Sequence, residues 1–407
     1  MRFGCGLGLL LACALAAPLS ARPQTPAASK KTFVGSSRCT PCHADIYQSW
    51  LKTRMANIVR DPKQHPEAVL GDFAHPTPAV TFDLSQVAFV YGSRWKQRYF
   101  TMRGDEYYVL PAQWDIKHQR WLPFHVEPNA DWWVKYYPDS NFERPTGPLC
   151  DGCHSVNYDL ATKKVSEWNV GCEKCHGPGS EHVEHPSADN IVNPAKLDFV
   201  RGNDVCIQCH SQGRPLKNPI EGHYVDWPVG FLPGERLADF WRLEDRKFGQ
   251  QDFYYFQDGT AHKNRMQGND FSQAVMYHRG VRCFDCHDVH SDRYESDLIA
   301  PVADNTLCLR CHGPDTQPGP HMSVTQHTHH AEGSAGSRCI ACHMPLIETT
   351  LGDNFVAAHT FRFISPQLTK QFGTPNPCTS CHTDKSPDWA LEQLATWQTV
   401  SPWRVLQ

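Results

Sequence analysis

The run Cys172-Glu173-Lys174-Cys175-His176 places two cysteines three positions apart, with a histidine directly after the second. The same Cys-x-x-Cys-His pattern recurs at Cys39-Cys42-His43, Cys150-Cys153-His154, Cys206-Cys209-His210, Cys283-Cys286-His287, Cys308-Cys311-His312, Cys339-Cys342-His343 and Cys378-Cys381-His382, eight copies in all. Composition alone would supply about 0.04 copies by chance. Two thiols at this spacing meet the two vinyl groups of one haem and attach it by thioethers, and the adjacent histidine lies under the iron as proximal ligand. Disulfides give no reason for a histidine after every pair. Zinc knuckles leave eight histidines in one fixed position unexplained, and a thioredoxin-like motif would occur once. The expectation is eight covalently bound haems c.

Working outward, the motif starts lie 111, 22, 34, 77, 25, 31 and 39 residues apart. Cys150, Cys172 and Cys206 recur at Cys283, Cys308 and Cys339 with offsets of 133, 136 and 133. His176-Gly177-Pro178 in the middle of one trio matches His312-Gly313-Pro314 in the other. This reads as two related tri-haem modules with one haem added at each end. The expected organisation is a leader at 1–21, a first haem segment at 22–78 and a β-rich insertion at 79–125. Modules follow at 126–270 (haems 2–4) and 271–407 (haems 5–8).

The remaining two cysteines, Cys5 and Cys13, fall in the leader. Arg2, the uncharged run Leu7–Ala17 and Ala14-Leu15-Ala16 have the form of an export signal with its cleavage site, too short for a membrane span. Leu10-Leu11-Ala12-Cys13 also has the form of a lipoprotein box, which would leave Cys13 lipidated as the single membrane anchor. The mature protein is expected in the periplasm or outside the cell.

Between the first two motifs the sequence changes character. The runs AVTFDL (79–84), VAFVYG (87–92), RYFTMRG (98–104), EYYVLP (106–111) and RWLPF (120–124) are rich in β-branched and aromatic residues. Gly92, Gly104-Asp105 and Pro111 punctuate them, so four or five antiparallel strands are expected. A helix over Ala44–Val59 is suggested by the stripe Ile46, Trp50, Leu51 and Ile58. Ser386 and Pro387 form a helix start for the C-terminal stretch through Trp397. The expected fold is mainly α and irregular, packed around haems, with a small antiparallel β segment.

Composition excludes other classes. Charged residues make up 20%, the net charge is −4, and no basic tract points to nucleic acid. Two propionates per haem would carry the mature holoprotein to about −13 with ferric and about −21 with ferrous irons, which favours redox partners with basic docking surfaces.

Eight irons have eight sixth positions. Candidate distal ligands outside the motifs are His182, His262, His290, His327, His330 and His359. His290 lies one helical turn after His287 and is suited to a neighbouring haem; His327 and His330 share a face, with His329 off it. His321 parallels His182 in the repeat; His125, His223 and His278 are reserves, and His65, His75 and His118 read as surface. Met55, twelve residues after His43, is either a core residue or a thioether ligand that would raise its haem's potential.

The run Cys172 to His182 (CEKCHGPGSEH) resembles the haem signature of the cytochrome c-554 family. So do Cys283–His290 (CFDCHDVH), Cys339–Pro345 (CIACHMP) and Pro377–His382 (PCTSCH). That family belongs to a superfamily with hydroxylamine oxidoreductase and pentahaem nitrite reductase. The resemblance covers about 35–61 and 144–388 and leaves the β-rich segment outside. It implies closely spaced, mostly bis-histidine haems transferring electrons outside the cytoplasm, and supports His182, His290, His330 and His359 as sixth ligands. Two departures stand out. Met55 falls where relatives commonly place a histidine, and no Cys-x-x-Cys-Lys motif, the mark of the nitrite-reducing relatives, is present. The expected function is electron carriage along a chain of eight haems, with no acid–base pair or nucleophile required. The rivals are an oxidoreductase with one open haem acting on a small nitrogen or sulfur compound (nitrite, hydroxylamine, tetrathionate type) and a conductive filament subunit.

Overall fold

The computed structural model describes Met1 and residues 31–128, 130–316 and 319–397. The leader and Cys13 therefore lie outside the described residues. From Thr32 onward the described residues form one compact unit of short helices and small antiparallel sheets.

The first helix, α1, runs Thr40–Trp50 and stops nine residues short of the expected end. Two side chains intercept its carbonyls: Thr53 Oγ donates to Trp50 O at 2.7 Å, and Asn57 Nδ2 to Leu51 O at 2.7 Å. Side-chain donors of this kind compete with the backbone ladder and end a helix. Ile46 and Leu51 are exposed, so of the expected stripe Trp50 alone is buried on α1. A single 3-10 turn at Met55–Asn57 follows, then strand β1 at Val59–Arg60.

β1 is the edge of a five-stranded antiparallel sheet with β2 (Phe89–Tyr91), β3 (Lys96–Arg103), β4 (Glu106–Asp115) and β5 (Arg120–Pro123), in sequential order. β3 and β4 close at Arg103↔Glu106 over a two-residue turn, where Gly104 takes φ 63°, as tight hairpins require. One correction concerns AVTFDL, which forms no strand. Its Phe82 instead folds over the sheet to join Val90, Tyr99, Trp114 and Trp121 in the core. The fifth strand comes from the first haem segment. A second cluster on the sheet, Val59, Tyr91, Phe100 and Val109, packs against Cys150, Phe124 and Trp168. The insertion is thus welded to the second motif. Tyr91 Oη donates to Asp151 Oδ1 at 2.7 Å, and Thr146 holds the other carboxylate oxygen at 2.7 Å.

Elsewhere the motifs ride on single helical turns, such as Cys172–His176, Cys339–His343 and Pro377–Cys381. The terminal helix Pro387–Thr396 starts as expected, with Ser386 Oγ accepting from Trp389 N at 3.2 Å.

Candidate haem sites

Four motif histidines each face a second imidazole. His43 faces His182 with ring centres 6.4 Å apart and planes 13° from parallel; His176 faces His290 at 6.1 Å and 22°. His343 faces His327 at 6.2 Å and 8°, and His382 faces His330 at 6.2 Å and 33°. Two metal–imidazole bonds of about 2.0–2.1 Å, with ~1.1 Å from each nitrogen to its ring centre, separate two axial imidazoles by about 6.3 Å. The observed gaps match that span, so the residues fit an iron between them.

The ring orientation is fixed from behind. His176 Nδ1 donates to Val192 O at 2.7 Å, His182 Nδ1 to Ser187 O at 3.0 Å, and His330 Nδ1 to Thr328 O at 2.6 Å. A donor at Nδ1 leaves the lone pair on Nε2, the tautomer a metal requires. Burial pushes the pKa of His176, His327 and His343 down, which keeps these rings neutral.

The partner of His43 stands 139 residues along the chain, and polar ties bring it there. Glu173 accepts from Val34 N at 3.0 Å, Gly35 N at 2.8 Å and Gly179 N at 2.7 Å, so one carboxylate holds the first segment against the turn that carries His182. Met55, the nearer candidate in sequence, lies half-buried in its 3-10 turn, with its carbonyl accepting from Val170 N at 3.0 Å. His182, not Met55, faces His43.

The other candidates sort by position. His359 is half-buried, donates from Nδ1 to Ala357 O at 2.8 Å, and is pushed down to about 4 by desolvation, with His287 and His210 acting in the same direction. It sits near those two motif histidines. His262 is engaged through its other nitrogen: Nε2 donates to the carbonyl of Asp252 at 2.8 Å, and its ring packs on Phe256. His329 stacks on Trp397 at 4.2 Å. His154 differs from the paired histidines. Its ring contact among the described residues is Tyr91, at 5.3 Å, and its buried Nδ1 has no partner there. Burial pushes it down to about 4, with Arg265, Arg98 and Lys174 adding to the shift.

The cysteines connect the motifs. None of the 16 described is in a disulfide. Cys39 meets Cys172, Cys153 meets Cys209, Cys206 meets Cys283 and Cys308 meets Cys339, thiol to thiol. Within electrostatic reach are also Cys175 and Cys206, Cys286 and Cys311, and Cys342 and Cys378.

Three side chains absent from the sequence reading align these contacts. Ser36 Oγ accepts from Cys172 N at 2.8 Å, Asn203 Oδ1 from Cys283 N at 2.8 Å, and Asn305 Oδ1 from Cys339 N at 2.7 Å. Each lies three residues before the first cysteine of its own motif, in Ser36-x-x-Cys39, Asn203-x-x-Cys206 and Asn305-x-x-Cys308. That shared offset is the signal that could have found them.

Comparison with known proteins agrees with the geometry. Residues 129–177 match the family model "Cytochrome c554 and c-prime", and residues 277–317 match "Doubled CXXCH motif". The chain is 22% identical to the dissimilatory sulfite reductase MccA of Wolinella succinogenes over 80% of its own length and 52% of the relative's. It is 22% identical to the multiheme cytochrome MtrA of Shewanella baltica over 53% of its length and 66% of the relative's. The chain therefore spans between half and two thirds of these relatives. The outer cell wall cytochrome OcwA shares the fold, with a TM-score of 0.72 and 21% identity over 90% of this chain and 87% of that one. With the motifs, the facing imidazoles and these relatives in agreement, the chain is similar to the multihaem c-type cytochromes.

Proposed function

We propose that this protein carries eight haems c and passes electrons along them outside the cytoplasm. The haems attach at Cys39/Cys42, Cys150/Cys153, Cys172/Cys175, Cys206/Cys209, Cys283/Cys286, Cys308/Cys311, Cys339/Cys342 and Cys378/Cys381. Their proximal ligands are His43, His154, His176, His210, His287, His312, His343 and His382. The observation that carries this reading is the set of four facing imidazole pairs at an iron-spanning distance. In it His182, His290, His327 and His330 are distal ligands, and His359, whose Nε2 alone is free, is the distal ligand of one of the two haems at His210 and His287. Such a haem exchanges an electron without a bond being made or broken at the iron.

The cysteine contacts support an order. Numbering haems by motif, the path runs 1–3–4–5–6–7–8, with haem 2 joined through Cys153 and Cys209 to haem 4 as a side branch. Among the described residues no helix is long and apolar enough to cross a membrane. Export rests on the leader, and the negative holoprotein favours partners with basic docking surfaces.

Intact-mass measurement under denaturing conditions tests the count: eight haems retained and no titratable thiol in the mature chain. Seven or fewer, with a free thiol pair, removes a motif.

A second reading is favoured by His154, whose ring meets Tyr91 and no second imidazole among the described residues, whereas His210 and His287, also without a facing ring there, have His359 within reach. Haem 2 then has one open position at the end of a branch, where a small nitrogen or sulfur compound would receive electrons delivered through haem 4. A stoichiometric high-spin ferric signal that responds to added nitrite or cyanide supports it; an all-low-spin oxidised protein rejects it.

A further inference from the structure

We infer that Ser36, Asn203 and Asn305 are positioning residues that lock the haems into three pairs, 1/3, 4/5 and 6/7, and so set the direct route through the protein. The inference rests on the haem reading above and concerns residues outside every Cys-x-x-Cys-His motif.

The geometry repeats three times. In each pair the side chain three residues before one motif accepts the backbone N–H of the first cysteine of the other motif, at 2.7–2.8 Å. Both asparagines also donate to a carbonyl two residues before that cysteine: Asn203 Nδ2 to Val281 O at 3.1 Å and Asn305 Nδ2 to Ser337 O at 2.8 Å. Ser36 Oγ instead donates to Glu167 Oε2 at 2.7 Å. All three are almost wholly buried, at 1%, 0% and 6% exposure. A buried amide bonded through both ends fixes distance and orientation together, because leaving either end unpaired costs about 1–3 kcal/mol.

The consequence falls on the haem edges. Each device brings first cysteine against first cysteine, Cys39 to Cys172, Cys206 to Cys283 and Cys308 to Cys339. Each first cysteine would hold one vinyl-derived thioether, so each device would fix the separation of the attachment points of two haems. Two receiving motifs, at Cys283 and Cys339, have glycine at the corresponding position, Gly280 and Gly336, whereas the one at Cys172 has Asn169, whose Oδ1 accepts from Val59 N at 2.6 Å and not from the paired motif. Contact between haems 2 and 4 is made differently, through the second cysteines Cys153 and Cys209, and no such side chain precedes Cys150, where Gly147 stands.

The test uses matured holoprotein with Asn203→Ala, Asn305→Ala and Ser36→Ala, and Asn203→Asp, which keeps the acceptor and loses the donor. Haem occupancy at each motif is first read by peptide mass. Electron paramagnetic resonance of the oxidised protein then reports spin coupling within pairs, and rapid-mixing reduction reports transfer along the path. With all eight haems retained, Asn203→Ala should replace the coupled signals of one pair by uncoupled low-spin signals and slow the step between haems 4 and 5 by tenfold or more. Asn203→Asp should fall between this and the native protein. Loss of haem confined to the motifs at Cys206 and Cys283 in Asn203→Ala, with Asn305→Ala sparing them, also supports the assignment. Full occupancy with unchanged coupling and kinetics in all four variants overturns it. A motif without haem in the native protein would indict the haem reading instead.

Discussion

His43 and His182, 139 residues apart in the chain, present their rings to each other 6.4 Å apart and 13° from parallel. This pairing decides the role of Met55. If His182 supplies the sixth ligand, His182→Ala should leave one haem five-coordinate and high-spin, and added imidazole should restore the low-spin spectrum. Met55→Leu should leave the absorption spectrum and the redox titration unchanged. A thioether-to-iron band at the red end of the visible spectrum, lost in Met55→Leu, would return the methionine to that iron.

The second motif is braced by a glycine. A Cβ on Gly152, between Cys150 and Cys153, would run into the indole of Trp227, which is itself held by a bond from its Nε1 to Gly147 O at 3.0 Å. Overpacking of this kind costs about 1–3 kcal/mol. Gly152→Ala should therefore lower haem attachment at 150–154, measured by peptide mass, while the other motifs stay filled. Adding Trp227→Leu should recover most of it. Equal loss in the single and double variants would place the fault in the backbone rather than the indole.

The sheet carries a buried ion pair. Lys96 Nζ lies 2.8 Å from Asp115 Oδ2, with side chains 5% and 1% exposed, and His118 Nδ1 reaches the same carboxylate at 2.9 Å. Burial alone would raise the Asp115 pKa, but the bonds from Lys96 and His118 outweigh it and hold the carboxyl well below the usual range. A carboxylate depressed in the folded state contributes stability above its unfolded pKa of about 3.9 and loses it as pH falls toward the folded value. The melting temperature should accordingly drop below about pH 4. Asp115→Asn should cost about 3–5 kcal/mol at pH 7 by leaving Lys96 buried and unpaired, and the double change Lys96→Met with Asp115→Leu should recover most of that. An unchanged melting curve for Asp115→Asn would show the pair to be dispensable.

The eight motifs, the Ser386 start and most of the sheet were legible because each is local: a fixed spacing, a cap, an alternation. What escaped is long-range. The helical stripe through Ile58 ignored Thr53 and Asn57, whose side chains take the carbonyls that would have continued α1. AVTFDL has strand composition, yet Phe82 is needed over the sheet core, and Val59-Arg60 supply the edge strand instead. The partner of His182 could not be read, since Glu173 makes that meeting across more than 130 residues. The contact of His262 Nε2 with the Asp252 carbonyl is likewise one that composition does not reveal.

Arg98 gives the open-haem reading its sharpest test. It lies on β3, in the segment outside the family resemblance, half-buried, with its guanidinium 4.6 Å over the Phe124 ring. Its bond to Gln113 Oε1 is long at 3.4 Å, and no carboxylate pairs with it among the described residues. Burial pushes the Cys150 thiol up to about 12, while Arg98 acts on it in the opposite direction and also on His154. Its charge thus acts on Cys150 and His154, the residues that would hold haem 2 by a thioether and as proximal ligand. If that iron is open, Arg98 should favour anionic ligands over neutral ones. Arg98→Gln should weaken azide binding to the ferric protein by tenfold or more, equivalent to about 1.4 kcal/mol, and leave carbon monoxide binding to the ferrous protein within about twofold. Arg98→Lys should regain part of the azide affinity. Equal affinities in native and Gln proteins would assign Arg98 to packing on Phe124, and the absence of any azide or carbon monoxide spectrum would close haem 2 altogether.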